Sequence, residues 1–101
     1  MSWVDGFVFA EPMIDLRDEP RRAELLAAEL RRELGPAHPL AGTQWTVVAE
    51  AEPQDDVLVV TAMGVAMVHL TWSGNTESLP WPREYDLPDP AALDRLIIER
   101  Y

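Results

Sequence analysis

Two apolar segments separated by a glycine constrain the fold of this chain more than any other feature of its sequence. Residues 57–63 are mostly apolar with many β-branched side chains, and residues 65–72 follow directly after Gly64. Short runs of this composition are typical of buried strands. Glycine accepts the backbone conformations that tight turns require, so Gly64 predicts a hairpin turn between two antiparallel strands.

A third predicted strand precedes this hairpin. Residues 44–51 alternate, with Trp45, Val47 and Ala49 on one side, as expected of a strand with one buried face. The three strands would form an antiparallel meander. Residues 1–17 have a mixed pattern, which leaves open whether they add a fourth strand. Residues 78–88 contain three prolines and predict extended chain without regular structure.

A helix is predicted on each side of the meander. Residues 19–34 carry leucines at every fourth position in their second half, which gives one apolar stripe. Asp18 is expected to cap the first turn, Pro20 fits within it, and Gly35 suits a left-handed residue just past the last turn.

The second helix is predicted over residues 91–100, with Asp89 as N-cap and Pro90 as first residue. The chain is thus expected to form one α+β domain over residues 1–101. Its sheet would be a three-stranded antiparallel meander, or a four-stranded one if the N-terminal segment joins it. Both helices would pack on one face of the sheet, which is the economical arrangement.

The charge pattern limits the classes of partner. Acidic residues outnumber lysines and arginines by 18 to 8, for a net charge of -10, and residues 34–82 contain neither lysine nor arginine. A field of this sign repels nucleic acid and anionic membranes and attracts basic proteins. No apolar run approaches the ~20 residues of a membrane-spanning helix. The N-terminal residues lack the pattern of a secretory signal, so we expect a cytoplasmic protein.

Few residues are candidates for chemistry. The absence of cysteine excludes disulfides and thiolate chemistry. His38, His69, Asp55 and Asp56 show none of the spacings of a metal site, so we expect neither a metal nor a cofactor. His69 could act as a general base beside a carboxylate, but a structural histidine is the commoner case. We expect no catalytic residue.

Several short motifs together resemble those of a family of small uncharacterised bacterial proteins. The motifs are HPLAG at residues 38–42, DDVL at 55–58, VHLTWSG at 68–74, Glu77, and WP at 81–82. The resemblance covers about residues 30–88, and the chain departs from the family pattern after Pro82, where it is more acidic and more often interrupted by proline. It implies a protein similar to the immunity proteins encoded beside bacterial toxins.

We therefore expect a non-enzymatic binding protein that neutralises a basic partner, such as a toxin, through an acidic surface. The expected partner-binding residues are Glu50, Glu52, Asp55, Asp56, His69, Trp72, Glu77 and Trp81. One alternative is a self-associating structural domain, a homodimer joined through the sheet face that carries Val65, Met67 and Thr71. The other is a small enzyme that depends on His69.

Overall fold

The fold is an antiparallel sheet of five strands with two helices, as a computed structural model shows for residues 2–51 and 55–100. In chain order the elements are β1 Met13–Asp15, α1 Pro20–Glu33, β2 Trp45–Ala51, β3 Asp56–Thr61, β4 Gly64–His69, β5 Glu84–Asp86 and α2 Pro90–Arg100. The strands lie side by side in sequence order. The predicted α+β class is confirmed, and the sheet has five strands rather than three or four.

The two additional strands are the short edges of the sheet. β1 pairs with the end of β2, where Met13 lies opposite Ala51. β5 pairs with β4, where Glu84 lies opposite Val68. Each has three residues, so neither shows a periodic pattern of its own, and each is fixed by the neighbour with which it pairs. The prediction that residues 78–88 have no regular structure is therefore wrong for β5.

The central hairpin forms where it was predicted, with a shifted turn. Thr61 pairs with Gly64, so Ala62 and Met63 make the turn and Gly64 begins β4. The hydroxyl of Thr61 accepts a hydrogen bond from the Met63 amide at 3.0 Å. Gly64 is still required, because its φ of 146° is rarely adopted by other residues.

The two helices lie on opposite faces of the sheet, which corrects the expectation that both pack on one face. Val57, Val59, Ala66 and Val68 face α1 and share a core with Leu26 and Leu30. The alternate residues of the same strands face α2 and share a core with Leu93 and Leu96; they are Leu58, Val65 and Met67. β3 and β4 are apolar on both faces, so each face needs a cover.

This arrangement removes the sheet face through which a dimer was expected. Val65 and Met67 are buried beneath α2. The N-terminal arm extends the same cover: Val4 is buried, and the Trp3 indole donates to the Leu87 carbonyl at 2.8 Å. The guanidinium of Arg17 fixes the arm by donating to two of its carbonyls, those of Val4 and Phe7.

The predicted cap is confirmed for α2 but not for α1. Asp89 accepts a hydrogen bond from the Ala92 amide at 2.8 Å, which confirms the expected cap of α2. α1 begins at Pro20, but its N-cap is Glu19, without a side-chain bond, so Asp18 does not cap it. Gly35 is not left-handed; Leu34 ends the helix in an extended conformation. Gly35 has another role, in the support of a loop.

Candidate functional site

Residues 70–82 form a loop between β4 and β5 whose two ends meet. The His69 amide donates to the Arg83 carbonyl at 2.9 Å, directly outside the loop. Leu70 and Pro82, the first and last residues of the loop, are buried. Compact surface loops with closed ends are often functional, because a rigid base holds their exposed middle in one position. Loop 70–82 is therefore the first candidate for a site.

Two carboxyl groups at the end of α1 hold this loop from below. Glu33 is 0% exposed, and its two oxygens accept hydrogen bonds from the Thr71 and Trp72 amides, each at 2.9 Å. Glu29 is also buried and accepts from the Gly74 amide at 3.4 Å. The loop has no regular structure to pair these three backbone amides, so the two carboxyl groups supply their hydrogen-bond partners.

The ionisation of Glu33 is strongly perturbed. The pKa of Glu33 is raised from 4.5 to about 7, chiefly because burial deprives its charge of hydration. The hydrogen bond with the carboxyl of Glu29 contributes to this rise, since two neighbouring carboxyls resist a second negative charge. The amides of Thr71 and Trp72 act in the opposite direction.

The backbone of the loop also contacts the end of α1 directly. The Glu77 amide donates to the Glu33 carbonyl at 2.8 Å, and the Thr76 hydroxyl donates to the Arg32 carbonyl at 3.2 Å. A Cβ atom on Gly35 would lie 2.7 Å from the Glu77 carbonyl oxygen, which is too close for any side chain. Gly35 is therefore needed to let the loop pass over the helix end.

His38 supports the far end of the loop. Its Nδ1 accepts a hydrogen bond from the Leu40 amide at 3.1 Å, so its Nε2 carries the proton and donates to the Pro82 carbonyl at 2.7 Å. The ring is buried. His38 is thus a structural residue. No group of three or more potential metal ligands occurs within residues 2–51 and 55–100.

A polar cluster lies beside the start of the loop, where α2 ends. Asp56 is 0% exposed; its oxygens accept from Arg100 Nε at 3.0 Å and Nη2 at 2.9 Å. Asp56 also lies 2.8 Å from His69 Nδ1, which assigns the proton to that nitrogen. Arg100 Nη1 donates to the Tyr85 hydroxyl at 3.1 Å. The cluster connects α2 to β3, β4 and β5.

The exposed part of the loop carries three large apolar side chains. Trp72 is 43% exposed, Trp81 is 39% exposed, and Leu79 is also exposed. Trp72 has a φ of 56°, a left-handed conformation that is rare for a bulky residue and costs about 1–3 kcal/mol. The Arg83 guanidinium lies 4.7 Å from the ring centre of Trp81. The loop thus presents two aromatic side chains at the surface, and Glu33 holds the backbone of one of them, Trp72.

The structure divides the eight expected binding residues into groups. Asp55, Trp72 and Trp81 are exposed, and His69 and Glu77 are half-buried. Glu50 is buried, and Arg22 holds both of its oxygens at 2.8 and 2.9 Å. With Asp56 buried as well, neither residue lies on an acidic surface, and that expectation is wrong for both. Glu52 lies outside the described residues.

The spacing of residues in α1 indicates that Glu33 is buried. Leu26, Leu30 and Glu33 are spaced by four and three residues, so Glu33 continues the buried stripe of α1. An acid at such a position is buried with polar partners or is not tolerated. Leu34, which was expected on the stripe, is only half-buried. Glu29 and Arg100 gave no comparable signal.

Comparisons with known proteins add no family to these observations. No family model, curated protein or solved structure matches the chain. Among the described helices, neither is long and apolar enough to cross a membrane.

We predict that Asp56→Asn is strongly destabilising and that Asp55→Asn is not. The substitution breaks the ion pair in which the buried carboxylate binds Nε and Nη2 of Arg100, and breaking a buried pair costs about 3–5 kcal/mol. Asp55 is exposed, so its substitution should change the free energy of unfolding by less than about 0.5 kcal/mol. Urea unfolding of the two variants checks this, and equal midpoints would show that the buried cluster contributes nothing.

We also predict that Gly35→Ala displaces the loop. The new methyl group must push the Glu77 carbonyl away, at a cost of about 1–3 kcal/mol. Gly42→Ala is the control, because that position has open space and only a strained φ. Amide chemical shifts of Thr71, Trp72 and Glu77 should change in the first variant and not in the second. Unchanged shifts in both would contradict the close approach.

Proposed function

We propose that this protein is a non-enzymatic binding protein that docks a basic partner protein on loop 70–82. The observation that carries this function is the presentation of Trp72 and Trp81 on a backbone that buried carboxyls hold in place. Two large exposed aromatic side chains on one loop are costly for a monomer in water, and a partner that covers them removes that cost.

Tryptophan is the residue most enriched among interface hot spots. Binding through a mobile loop would cost ordering entropy for each residue that becomes fixed. Loop 70–82 is already tied to α1 by four backbone amides, those of Thr71, Trp72, Gly74 and Glu77. Most of the ordering cost is therefore met during folding, which leaves more of the contact energy for the partner.

Charge favours a basic partner. The chain carries a net charge of -10. Asp55 is exposed beside the loop, since its carbonyl accepts from the Leu70 amide at 3.0 Å. Glu77 lies within the loop and accepts from the Thr71 hydroxyl at 3.1 Å. These two acids replace the larger set expected from the sequence. Complementary charge would mainly speed association and exclude acidic competitors.

The resemblance to immunity-type bacterial proteins suggests the biological setting. A toxin that acts on nucleic acid or on anionic substrates has a basic surface, and an acidic protein with aromatic anchors could cover it. We infer a cytoplasmic location for such a protein, and this would suit a chain without cysteine.

A second candidate, a small enzyme dependent on His69, is favoured by one observation. Asp56 lies against His69 Nδ1 and so directs Nε2 away from the carboxylate, as a general base requires. However, Arg100 binds both oxygens of Asp56. This neutralises the charge that would stabilise a protonated imidazole, so the geometry supports a structural role better.

We predict that Trp72→Ala and Trp81→Ala each weaken binding of the partner without unfolding the protein. Each hot-spot truncation should cost about 2 kcal/mol, or about 30-fold in Kd. Met63→Ala is the control, because Met63 is 92% exposed at the hairpin turn, away from the loop. The tagged protein and its variants serve as baits, and the recovered partner is then purified for calorimetry. Equal affinities for all baits would exclude loop 70–82 as the docking surface.

We predict that Asp55→Asn combined with Glu77→Gln slows association by about three- to ten-fold at low salt. The rates of the wild type and the variant should converge at high salt, where exposed charges are screened. Asp94→Asn combined with Glu99→Gln removes the same charge from the exposed side of α2. If this control slowed association equally, the total charge rather than the loop would direct the partner.

A further inference from the structure

The contact between Glu29, Glu33 and the loop has the geometry of a latch. Two carboxyls on successive turns of α1 accept hydrogen bonds from three backbone amides near the start of the loop, those of Thr71, Trp72 and Gly74. The carboxyls are buried and also hydrogen-bond with each other. We call Glu29 and Glu33 the carboxyl latch. One proton between them makes this contact possible, since two adjacent buried charges would repel.

Each element around the latch places few other charges against it. On α1, Arg32 donates to Glu29 Oε1 at 2.8 Å and partly offsets its charge. In the loop, the hydroxyl of Thr71 donates to Glu77 and also lies within hydrogen-bonding reach of Glu33, so Glu77 is the nearest acid of the loop to the latch. In the segment after α1, His38 is bonded to Pro82 at the far end of the loop. Glu33 is therefore the group whose protonation most affects the contact.

We propose that the carboxyl latch makes the docking surface proton-dependent, holding loop 70–82 most firmly in mildly acidic solution and loosening it as the pH rises to neutral. The effect on a partner rests on the proposed function. The effect on the loop itself does not, because it follows from contacts within this chain.

The direction follows from proton linkage. In the closed loop Glu33 has a pKa of about 7, and in an open loop, where water reaches it, its pKa returns towards 4.5. The closed loop therefore binds the proton more tightly. Between pH 5 and pH 7 the closing equilibrium constant should fall by about 40-fold in total, which is roughly six-fold for each unit of rising pH. Above pH 8 both states are ionised, so the constant should become level.

The loosening would act on the residue that matters most for docking. Thr71 and Trp72 donate to Glu33 itself, and the strained φ of Trp72 is maintained by that contact. When the latch opens, Trp72 can leave the left-handed region, and its ring loses its fixed position. The partner would then meet the ordering cost that the closed loop avoids.

The test measures the loop without any partner. Hydrogen-exchange protection factors, which correct for the intrinsic effect of pH on exchange, are recorded for Thr71, Trp72 and Gly74 from pH 5 to pH 8. The amide of Val59 in β3 is the internal reference for global opening. Protection of the three loop amides should fall by roughly six-fold per unit from pH 5 to pH 7, relative to Val59, and then level.

Two variants identify the groups responsible. Glu33→Gln removes the titrating group, so loop protection should be independent of pH. Glu29→Gln places an amide donor beside Glu33 and removes the neighbouring carboxyl, which should move the midpoint below 7. Glu24→Gln is the matched control on the exposed side of α1 and should leave the wild-type profile unchanged.

A flat wild-type profile would overturn the latch, and so would the same fall in Glu33→Gln as in the wild type. Neither result bears on the proposed function, which fails only if the Trp72 and Trp81 variants bind the partner as well as the wild type does.

Discussion

The carboxyl of Glu33 is the group on which the loop and the end of α1 both depend. It is an acid in the last turn of a helix, where the helix dipole disfavours negative charge, and it is fully buried. Both features would make it destabilising by itself. The amides of Thr71 and Trp72 compensate by donating to its two oxygens. If the loop moved away, a buried acid and two amides would lose their partners together, so helix end and loop are stable only as a unit.

The position of the loop follows from the two-sided core. β3 and β4 are apolar on both faces, so α1 and α2 cover opposite sides of the sheet. The last turns of both helices nevertheless reach the same end of it. α1 contacts the loop through Glu33, while α2 sends Arg100 to Asp56 and His69 at the point where the chain leaves β4. Loop 70–82 therefore begins between two fixed helix ends, which explains how a segment without regular structure is held.

The fold was predictable where the pattern was local. The central hairpin, the body of both helices and the cap at Asp89 follow from apolar runs, helical spacing and capping chemistry. β1 and β5 were not predictable as strands, because edge strands this short are specified by their partners. The opposite placement of the helices is implied by β3, because its unbroken apolar character indicates a strand that is covered on both faces.

The candidate site was predictable in its exposed residues and not in its support. Trp72 and Trp81 were identified because tryptophan beside acidic residues is typical of interfaces, and both are exposed. The acids were harder to place, since a sequence shows charge but not which arginine it meets. Glu50 meets Arg22, and Asp56 meets Arg100 from a helix far along the chain. Because such ion pairs join residues far apart in the chain, the sequence does not show that these two acids are buried rather than exposed.

Two costs meet at the start of loop 70–82, the left-handed φ of Trp72 and the burial of the Glu33 carboxyl. A glycine at position 72 would accept its φ without strain, and an apolar residue at position 33 would continue the stripe of α1 without a desolvation cost. The chain instead has tryptophan at the first position and glutamate at the second. Strain and buried charge persist where the rest of the fold compensates for them, and natural proteins tend to carry them at sites of binding or switching. Here both occur where the backbone of an exposed tryptophan is held in place, an outcome that stability alone would not favour.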